Sequence, residues 1–472
     1  MADIKFGTDG WRAVIADGYT FQNVGRVAAA TGRWMKDTGI GSNTAVVGYD
    51  ARFMSRDFAE FTARIIAAEG IDVQLSDAIC PTPAVSLAAF EHQAVGIVIT
   101  ASHNPPEYNG FKIKAPFGGS ASPAQIKEVE ARIPEAYDTS GLPDIEALKK
   151  GGKIASAALN KRYLDVLAER IDLNQIRAAG IKIAHDPMFG SGAGMLERLL
   201  DEQAVSLHSE FNPGFRNRPP EPVEKHLQEL PSVIRKHGCA VGIANDGDAD
   251  RVAMFDENGR YVDSHQILCL LTRYMVKTKG LKGELVKTVS TTDMMRKQAE
   301  AYELPISTTP IGFKYITEKI LAGDVLVCGE ESGGIAVKGH LAERDGLYIG
   351  LLVAEMCARR RMKLSELVQE LFDEFGPHYN YRNDMHTTDA RKNGMIDFCK
   401  AGKLTHICGI KVTRHDQTDG IKHWLEDDSR LLVRASGTEP VLRIYAEAQS
   451  PEQAKKLVDE VTRMVDEEAF GQ

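Results

Sequence analysis

The stretch ELVKTVSTTDMMRKQAEAYELPISTTPIGFKYITEKILAGDVLVCGE, residues 284–330, alternates short apolar runs with longer amphipathic segments. The runs ELVKTVS, LPISTTP and DVLVCGE are typical of strands, and the two segments between them are typical of helices. Strands that alternate with helices in this way form parallel βαβ units, whose helices cover the faces of the sheet. The stretch therefore predicts an α/β fold with a mainly parallel sheet.

The same alternation occurs earlier in the chain, where NTAVVGYD, IDVQLSD and AVGIVIT read as strands separated by helical segments. A Thr-Pro pair precedes a helix in both CPTPAVSLAAF and TTPIGFKYITEKI, and three related α/β units would explain this echo. The last hundred residues differ, because SRLLVRASGTEPVLRIYAEAQ reads as two strands around a loop, followed by one helix. The pattern predicts a fourth domain of another kind.

Length and composition limit the function. A chain of 472 residues is too long for one ordinary core, which indicates two to four domains. The net charge of -9 argues against a nucleic-acid-binding protein, which needs a basic face. We expect no membrane association, because neither a signal peptide nor an apolar run of spanning length is present. The seven cysteines are scattered without a CxxC pair, which favours a reduced cytoplasm.

The acidic segment NDGDADR, residues 245–251, follows the apolar run AVGIA. Alternation along an extended chain places Asp246, Asp248 and Asp250 on one side. Clustered carboxylates repel one another without a cation, and oxygen-only ligands suit a hard ion such as Mg²⁺. Glu257 extends the pattern toward a calcium loop, but Arg251 stands where that loop requires glycine. The segment predicts a Mg²⁺ site, with a solvated acidic turn as the alternative.

The segment TASHNPPEYNGFK, residues 100–112, places Ser102 beside His103 after an apolar run. Adjacency alone does not indicate a nucleophile and its base, because these are recognised by spatial geometry. The GxSxG motif of one hydrolase class is absent around Ser102. A polar turn that ends a strand is the alternative, and the metal and phosphate motifs elsewhere in the chain favour a chemical role.

Two further segments could bind a phosphorylated sugar. RASGTEP, residues 434–440, offers the planar fork of Arg434, hydroxyl donors and a glycine that lets backbone N–H groups approach an anion. GEESGG, residues 329–334, follows a strand, and Glu330 and Ser332 could form hydrogen bonds with sugar hydroxyls. The alternative in both cases is a polar turn.

Taken in order, these four segments resemble the motifs of the α-D-phosphohexomutase family, the phosphoglucomutases and phosphomannomutases. The segment FGTDGWRA, residues 6–13, is similar to the first motif of that family. The resemblance spans nearly the whole chain. It implies three similar α/β domains with mixed, mostly parallel sheets, a smaller C-terminal α+β domain, and an active site in the central cleft. The predicted bounds are 1–152 for a phosphoserine domain, 153–258 for a metal-binding domain, 259–375 for a sugar-recognition domain and 376–472 for a phosphate-binding domain.

The resemblance also implies roles for individual residues. Ser102 would carry the phosphoryl group, and its phosphate would complete the Mg²⁺ site. The implied catalytic residues are Ser102, His103, Lys112, Arg12 and Arg251. The implied substrate-binding residues are Lys314, Glu330, Ser332, Arg344, Arg434, Ser436, Gly437 and Thr438. The implied metal ligands are Ser102, Asp246, Asp248 and Asp250.

The implied activity is the interconversion of hexose 1-phosphate and hexose 6-phosphate. The phosphoenzyme would phosphorylate the free end of the sugar, and the resulting hexose 1,6-bisphosphate would turn around and return its other phosphate. This bisphosphate is the expected activator, Mg²⁺ the expected cofactor, and sugar phosphates the expected partners. A general base must take the proton of the attacking hydroxyl, and Lys112 and His103 are both candidates.

The preferred sugar is expected to be glucose, with measurable turnover of mannose 1-phosphate. Many bacterial bifunctional members of the family have histidine where this chain has Gly334, and the EES core is similar to that of glucose-specific members. A phosphomannomutase and a phosphoglucosamine mutase are the alternatives, although Trp11 is less similar to the glucosamine branch. A non-catalytic sugar-phosphate-binding protein is a further alternative, against which the presence of Ser102 and the three aspartates argues. The sequence indicates no oligomeric state.

Overall fold

The computed structural model describes residues 4–436 and 440–467, which form four β-sheets with flanking helices. The stretch 284–330 forms the three strands and two helices that its pattern predicts. Within the described residues, no helix is both long enough and apolar enough to cross a membrane.

The first sheet has the strand order β1-β5-β4-β2-β3-β6. Its strands β2, β3, β4 and β6 are parallel, and β5 and β1 add an antiparallel edge. Helix α1 begins after Thr20, whose hydroxyl accepts the N–H of Asn23, and ends at Gly39 in the left-handed conformation. The strands are β1 Trp11–Val14, β2 Thr44–Tyr49, β3 Asp72–Ser76, β4 Val95–Ile99, β5 Tyr108–Lys114 and β6 Ile154–Ala157. The helices are α1 Phe21–Thr38, α2 Ser55–Ala68, α3 Thr82–His92, α4 Pro123–Glu130 and α5 Ile145–Lys150.

The second sheet has the order β11-β10-β9-β7-β8, with β8, β7 and β9 parallel and β10 and β11 antiparallel. Its strands are β7 Ile183–Asp186, β8 Ala204–Ser206, β9 Val241–Asn245, β10 Val252–Phe255 and β11 Tyr261–Val262. Its helices are α6 Leu159–Arg170, α7 Leu173–Ala178, α8 Met195–Leu200 and α9 Leu230–His237.

The third sheet has the order β13-β12-β14-β15, in which only β15 is antiparallel to its neighbour. Its strands are β12 Glu284–Thr288, β13 Ile306–Thr309, β14 Val325–Gly329 and β15 Ile335–Val337. Its helices are α10 Ser264–Arg273, α11 Met294–Ala301, α12 Phe313–Ala322, α13 Gly346–Arg360 and α14 Leu364–Phe375.

The fourth sheet is antiparallel throughout its described strands, in the order β16-β21-β20-β19-β18-β17. Apolar residues of the sheet and of its two helices form a separate core. The strands are β16 Tyr379–His386, β17 His406–Ile407, β18 Ile410–Asp416, β19 Ile421–Leu425, β20 Arg430–Ala435 and β21 Val441–Ala448, and the helices are α15 Asp389–Lys400 and α16 Pro451–Asp466. The predicted fold class, three α/β units and a different C-terminal α+β unit, is confirmed.

The first three sheets share one strand arrangement. The orders β5-β4-β2-β3, β10-β9-β7-β8 and β15-β14-β12-β13 correspond strand for strand, and each begins with an antiparallel hairpin. The three hairpin loops contain, in chain order, Ser102, the three aspartates, and residues 330–334 of GEESGG. Three motifs that differ in chemistry therefore occupy one structural position, at the carboxyl end of a central parallel strand, where α/β proteins bind ligands.

Two strands lie beyond predicted domain bounds. β6 follows the predicted boundary at residue 152 but pairs with β3, and β11 follows the boundary at 258 but pairs with β10. The first and second sheets therefore extend further than expected, because a change in composition does not reveal the partner of a short strand. The domain bounds stay predictions.

Candidate active site

The loops of the first two units are pressed against each other. A Cβ atom on Gly247, between two of the aspartates, would lie 2.5 Å from the carbonyl oxygen of Ser102. Glycine is therefore required there to let the two backbones approach. The third unit contacts the acidic loop of the second unit at Gly346, where a side chain would collide with the carbonyl of Arg251.

Ser102 lies at the centre of this contact and is only 1% exposed. Its φ of 54° is in the left-handed region, which is uncommon for a residue other than glycine and is typical of functional sites. Its hydroxyl donates to Oδ2 of Asp246 at 2.7 Å and lies 3.3 Å from Nδ1 of His103. The serine thus contacts both a metal-ligand candidate and a proton-acceptor candidate.

The aspartates Asp246, Asp248 and Asp250 are fully buried, and one carboxylate oxygen of each lies within 4.8 Å of the others. Oδ1 of Asp248 and Oδ1 of Asp250 are buried without a hydrogen-bond partner among the described residues. Burial, followed by the charges of Asp248 and Asp250, raises the pKa of Asp246 well above its ordinary value. Two unpartnered oxygens in an all-carboxylate cluster fit a divalent cation such as Mg²⁺.

The calcium-loop alternative does not agree with the backbone. Strand β10 begins directly after Arg251, so the chain leaves the acidic turn where a calcium loop would continue. Glu257, which would provide the last ligand, instead accepts a hydrogen bond from the hydroxyl of Ser365.

Lys112 lies among the carboxylates. Its ammonium is 2.7 Å from Asp248, 3.0 Å from Asp250 and 2.8 Å from Asp9. Burial opposes its charge, but Asp248, Asp250 and Asp9 outweigh burial and raise the pKa of Lys112 above its ordinary value. Burial likewise works to raise the pKa of Asp248, and Lys112 outweighs it and holds that pKa below its ordinary value. Lys112 is therefore a charged partner of the acidic cluster.

Asp9, which was not predicted from the sequence, accepts from Lys112 and from Arg344. Arg344 also lies 2.8 Å from Asp250 and packs over the ring of Phe313. Burial opposes ionisation of Asp9, but Lys112, Lys114 and Arg344 outweigh it and hold the pKa of Asp9 well below its ordinary value. The structure thus places Arg344 beside the acidic cluster. Its implied role as a substrate contact stays a prediction. The only available signal for Asp9 was its place within FGTDGWRA.

Arg12 and His103 flank the serine. Arg12 donates to Oδ1 of Asn104, in the serine loop, at 2.6 Å. Burial, then the positive charges of Arg251 and Arg12, lower the pKa of His103 well below its ordinary value. The backbone N–H of Arg251 donates to Asp246, and its buried Nε has no hydrogen-bond partner among the described residues. The predicted catalytic residues are therefore brought together around Ser102.

Glu330 of GEESGG is buried and accepts the N–H of Gly312 at 2.9 Å. Burial raises the pKa of Glu330 to about 7, although Arg344 opposes the increase. Ser332 and Lys314 are partly exposed on neighbouring loops, and the Lys314 ammonium lies 5.2 Å from the ring centroid of Tyr315. These residues can form hydrogen bonds with a polar ligand that enters between the third unit and the acidic cluster.

The fourth unit contributes Arg434, at the end of β20, whose Nε donates to Oδ1 of Asp419 at 2.8 Å. Oδ2 of Asp419 accepts the N–H of Ile311 at 2.9 Å, so one carboxylate links Arg434 to the loop that precedes Lys314. Ser436 is buried, and its N–H donates to the carbonyl of Val441. Gly437 and Thr438, both predicted to bind phosphate, lie outside the described residues.

Arg443 on β21 is a further cation of the site that was not predicted from the sequence. It stands directly opposite Arg434, and its buried Nε has no hydrogen-bond partner in the described part of the chain. Like charges opposite each other on one sheet face are destabilising unless an anion lies between them. The pairing of β20 with β21, which sequence patterns do not specify, reveals this candidate.

Comparison with known proteins agrees with this geometry. Four models of the phosphoglucomutase/phosphomannomutase family match: α/β/α domain I over residues 3–139, α/β/α domain II over 161–259, α/β/α domain III over 263–375 and the C-terminal domain over 400–464. A protein of Thermococcus kodakarensis named phosphoglucomutase/phosphomannomutase is 31% identical, with 99% of each chain covered. A phosphoglucosamine mutase of Synechococcus elongatus is 29% identical, with 95% of this chain and 91% of that protein covered.

Among solved structures, one from Thermus thermophilus, provisionally described as a phosphomannomutase, superposes with a TM-score of 0.87. It is 33% identical, and the match covers 98% of this chain and 99% of that chain. The names of these relatives differ in the sugar on which each acts.

Proposed function

The chain belongs to the phosphoglucomutase/phosphomannomutase family, and we propose that it prefers glucose and works through phosphorylated Ser102. As a phosphohexomutase it is an isomerase that transfers phosphate within a sugar phosphate. The proposed reaction interconverts glucose 1-phosphate and glucose 6-phosphate through glucose 1,6-bisphosphate, which is also the activator. The observation that carries the proposal is the contact between the Ser102 hydroxyl and Asp246 within a buried acidic cluster.

Asp246, Asp248 and Asp250 are the residues that would hold Mg²⁺, together with an oxygen of Ser102 or of its phosphate. When bound, the ion supplies positive charge that stabilises the phosphoryl group during transfer. Lys112 keeps Asp248 and Asp250 in place by ion pairs. Arg12 and Arg251 add positive charge beside the serine, as phosphoryl transfer requires.

Of the two candidates for the general base, His103 is better supported. A base must be unprotonated and within hydrogen-bond reach of the proton that it accepts. The lowered pKa of His103 favours the neutral imidazole, whose Nδ1 already lies near the serine hydroxyl. Lys112 contacts three carboxylates, which raise its pKa and favour its charged form, so it is poorly suited to accept a proton.

We assign sugar recognition to Glu330 and Ser332. We assign phosphate binding to Arg434 and Ser436, and to Lys314, which follows the loop that Asp419 links to Arg434. Glu330 reads hydroxyls that glucose and mannose share, so the preference for glucose must arise near the 2-position. A mannose or glucosamine preference is the second possibility, because the names of relatives include each of these sugar phosphates. The direct test compares kcat/KM for the 1-phosphates of glucose, mannose and glucosamine under one Mg²⁺ and activator concentration. A higher value for either of the last two would overturn the preference.

The role of Ser102 is tested separately. Ser102→Ala should retain its fold, should lose most turnover, and should gain no phosphoryl mass when incubated with glucose 1,6-bisphosphate. Ser76→Ala is the matched control, because Ser76 is a buried serine of the same sheet whose hydroxyl donates to the carbonyl of Ala78. Near-parental activity of Ser102→Ala would contradict the phosphoserine mechanism.

A further inference from the structure

Arg52 is a buried arginine beneath the serine loop. It is 2% exposed and follows the carboxyl end of β2, in the segment GYDAR. Strands β2 and β4 are parallel neighbours, so the loops that follow them lie side by side. Arg52 thereby lies next to the loop of residues 100–108, which carries Ser102.

The guanidinium of Arg52 donates to four carbonyl groups, three in that loop and one at Tyr108, the first residue of β5. Nη2 donates to the carbonyls of Ser102 at 2.7 Å and Asn104 at 2.6 Å. Nη1 donates to the carbonyls of Pro105 at 2.8 Å and Tyr108 at 3.0 Å. The loop is therefore wrapped around one planar cation, whose donors have a fixed geometry.

The other side of the guanidinium faces a carboxylate, with which it forms an ion pair and no hydrogen bond. Nε lies 3.2 Å from Oδ2 of Asp50, which also accepts the hydroxyl of Thr100 at 2.6 Å. The same threonine hydroxyl accepts the N–H of Ser102 at 2.9 Å. Asp50 thus connects Arg52 to the serine through a second route, and both backbone groups of Ser102 are held.

Two residues of the second unit complete the enclosure. The ring of Phe215 lies with its centroid 5.0 Å from Cζ of Arg52, within cation–π range. Gly247 approaches the carbonyl of Ser102 so closely that no side chain fits between them. The loop is therefore held between Arg52 and the acidic loop.

The convergence of these carbonyl groups has a physical consequence. Four carbonyl oxygens that converge on one point repel one another unless donors lie between them. Arg52 provides a donor to each of the four, and the carbonyl of Pro105 also accepts the N–H of Tyr108 at 3.1 Å. The left-handed conformation of Ser102 is also one that a serine adopts only when its surroundings enforce it. Lysine has only three donors and no planar fork, so it cannot replace the guanidinium.

We propose that Arg52 is a positioning residue for phosphoryl transfer, which fixes the backbone of the serine loop and thereby aims the Ser102 hydroxyl at the reacting phosphate. This inference rests on the proposed role of Ser102 as phosphoryl carrier. Arg52 binds the carbonyl of Ser102, whereas the reacting hydroxyl donates to Asp246. Because Arg52 acts through the backbone, its removal should affect turnover more than substrate binding.

The experiment compares Arg52→Met with Arg26→Met. Arg26 is a buried arginine of the same unit that donates to the carbonyl of Pro134 and to Asn23, on another part of its surface. Both variants should unfold at lower temperature than the parent. Arg52→Met should lose about 100-fold in kcat with little change in KM, because a small misplacement of a reacting group has an effect of this order. The rate at which Ser102 gains phosphoryl mass from glucose 1,6-bisphosphate should decrease in parallel, and Arg26→Met should retain both rates.

Chemical rescue separates positioning from general stability. Guanidinium chloride, at concentrations too low to unfold the protein, should raise the turnover of Arg52→Ala several-fold and leave that of Arg26→Ala unchanged. Equal losses in Arg52→Met and Arg26→Met at equal folded fraction, or no rescue, would overturn the inference while the proposed function stood. Failure of the parent to take phosphate on Ser102 would overturn both.

If Arg52→Met does not fold, two milder variants provide the test. Arg52→Lys keeps the charge, and Phe215→Leu removes only the ring over the guanidinium. Each should decrease kcat and the phosphorylation rate while KM changes little. A change in KM alone, or parental rates in both variants, would contradict the inference.

Discussion

Arg434 and Arg443 stand directly opposite each other on strands β20 and β21, with their side chains on the same face of the fourth sheet. Arg434 has a carboxylate partner, Asp419, at 2.8 Å. The carboxylate of Asp384 is 4.0 Å from Arg443 and already binds two nitrogen atoms of the Arg382 guanidinium group at shorter distance. A phosphate between Arg434 and Arg443 would neutralise charges that otherwise repel.

We therefore expect Arg443→Ala to weaken substrate binding as strongly as Arg434→Ala. Each charge-assisted contact contributes about 1.5–3 kcal/mol, which corresponds to an increase in KM of about 10- to 150-fold. The measurement is KM for the sugar phosphate, with Arg414→Ala as control, since Arg414 stacks on Trp424 at the other edge of the sheet.

A stability measurement distinguishes phosphate binding from a structural role of Arg443. Without phosphate, Arg443→Ala should unfold at the parental temperature or above, because the variant lacks the repulsion. Inorganic phosphate should stabilise the parent more than the variant. Strong destabilisation of the phosphate-free variant would show that Arg443 serves the fold instead.

We expect the activity to depend on Mg²⁺ through the acidic cluster of Asp246, Asp248 and Asp250. Asp248→Asn removes one negative charge and one oxygen that lacks a hydrogen-bond partner in the described residues. The Mg²⁺ concentration for half-maximal activity should rise at least about tenfold, since even outer-shell changes have effects of this size. Chelation should abolish activity, and added Mg²⁺ should restore it.

Asp186→Asn is the control for metal binding. Asp186 is a buried carboxylate of the same unit that accepts from His208 and from the N–H of Met188. This variant should lose stability and keep the parental Mg²⁺ dependence. Full activity of the parent in excess chelator would exclude the proposed site.

We expect catalytic efficiency to depend on pH through the ionisation of Glu330, and this dependence can be separated from that of the substrate phosphate. Two carboxylate oxygens can accept from two sugar hydroxyls only when Glu330 is ionised, and its pKa is raised to about 7 chiefly by burial. The value of kcat/KM should therefore increase as pH rises through about 7. The phosphate of the substrate titrates near pH 6, in about the same range. Glu330→Gln removes the first titration and keeps the second, so the difference between the two profiles reports Glu330.

The raised pKa of Glu330 also makes the stability of the protein depend on pH. Because the pKa of Glu330 is raised in the folded state, its contribution is fully present below the ordinary value of 4.5 and is lost as pH rises to about 7. The difference corresponds to about 3 kcal/mol of unfolding free energy. Glu330→Gln should flatten this decrease in denaturant titrations between about pH 5 and pH 8. An unchanged slope would show that Glu330 titrates at its ordinary pKa.

Local sequence patterns were sufficient to predict the loops of Ser102, of the aspartates and of Glu330, because each follows an apolar run typical of a strand. Patterns within one segment could not predict Asp9, whose partner Arg344 is 335 residues away in the chain. Arg52 and Arg443 were missed for a related reason. The role of Arg52 depends on which strand lies beside β4, and the role of Arg443 depends on the register between β20 and β21.

The role of Gly334 likewise depends on a contact with a residue outside its own segment, Arg344. In the sequence it is a missing side chain near the sugar. In the structure, a Cβ atom on Gly334 would lie 2.5 Å from Cδ and 3.1 Å from Cγ of Arg344. Arg344 cannot easily move aside, because Asp9 and Asp250 hold its guanidinium. The glycine therefore makes room for the arginine.

Gly334→Ala should consequently act through Arg344. Displacement of a packed, ion-paired side chain costs about 1–3 kcal/mol, and it would also disturb the carboxylate of Asp250. We expect Gly334→Ala to decrease both stability and kcat/KM, whereas Arg344→Ala alone decreases activity by removing the cation. In the double variant the alanine at 334 has no arginine to displace, so the two effects should not add. A double-mutant cycle on unfolding free energy and on kcat/KM measures this coupling, and strictly additive effects would show that Gly334 and Arg344 act independently.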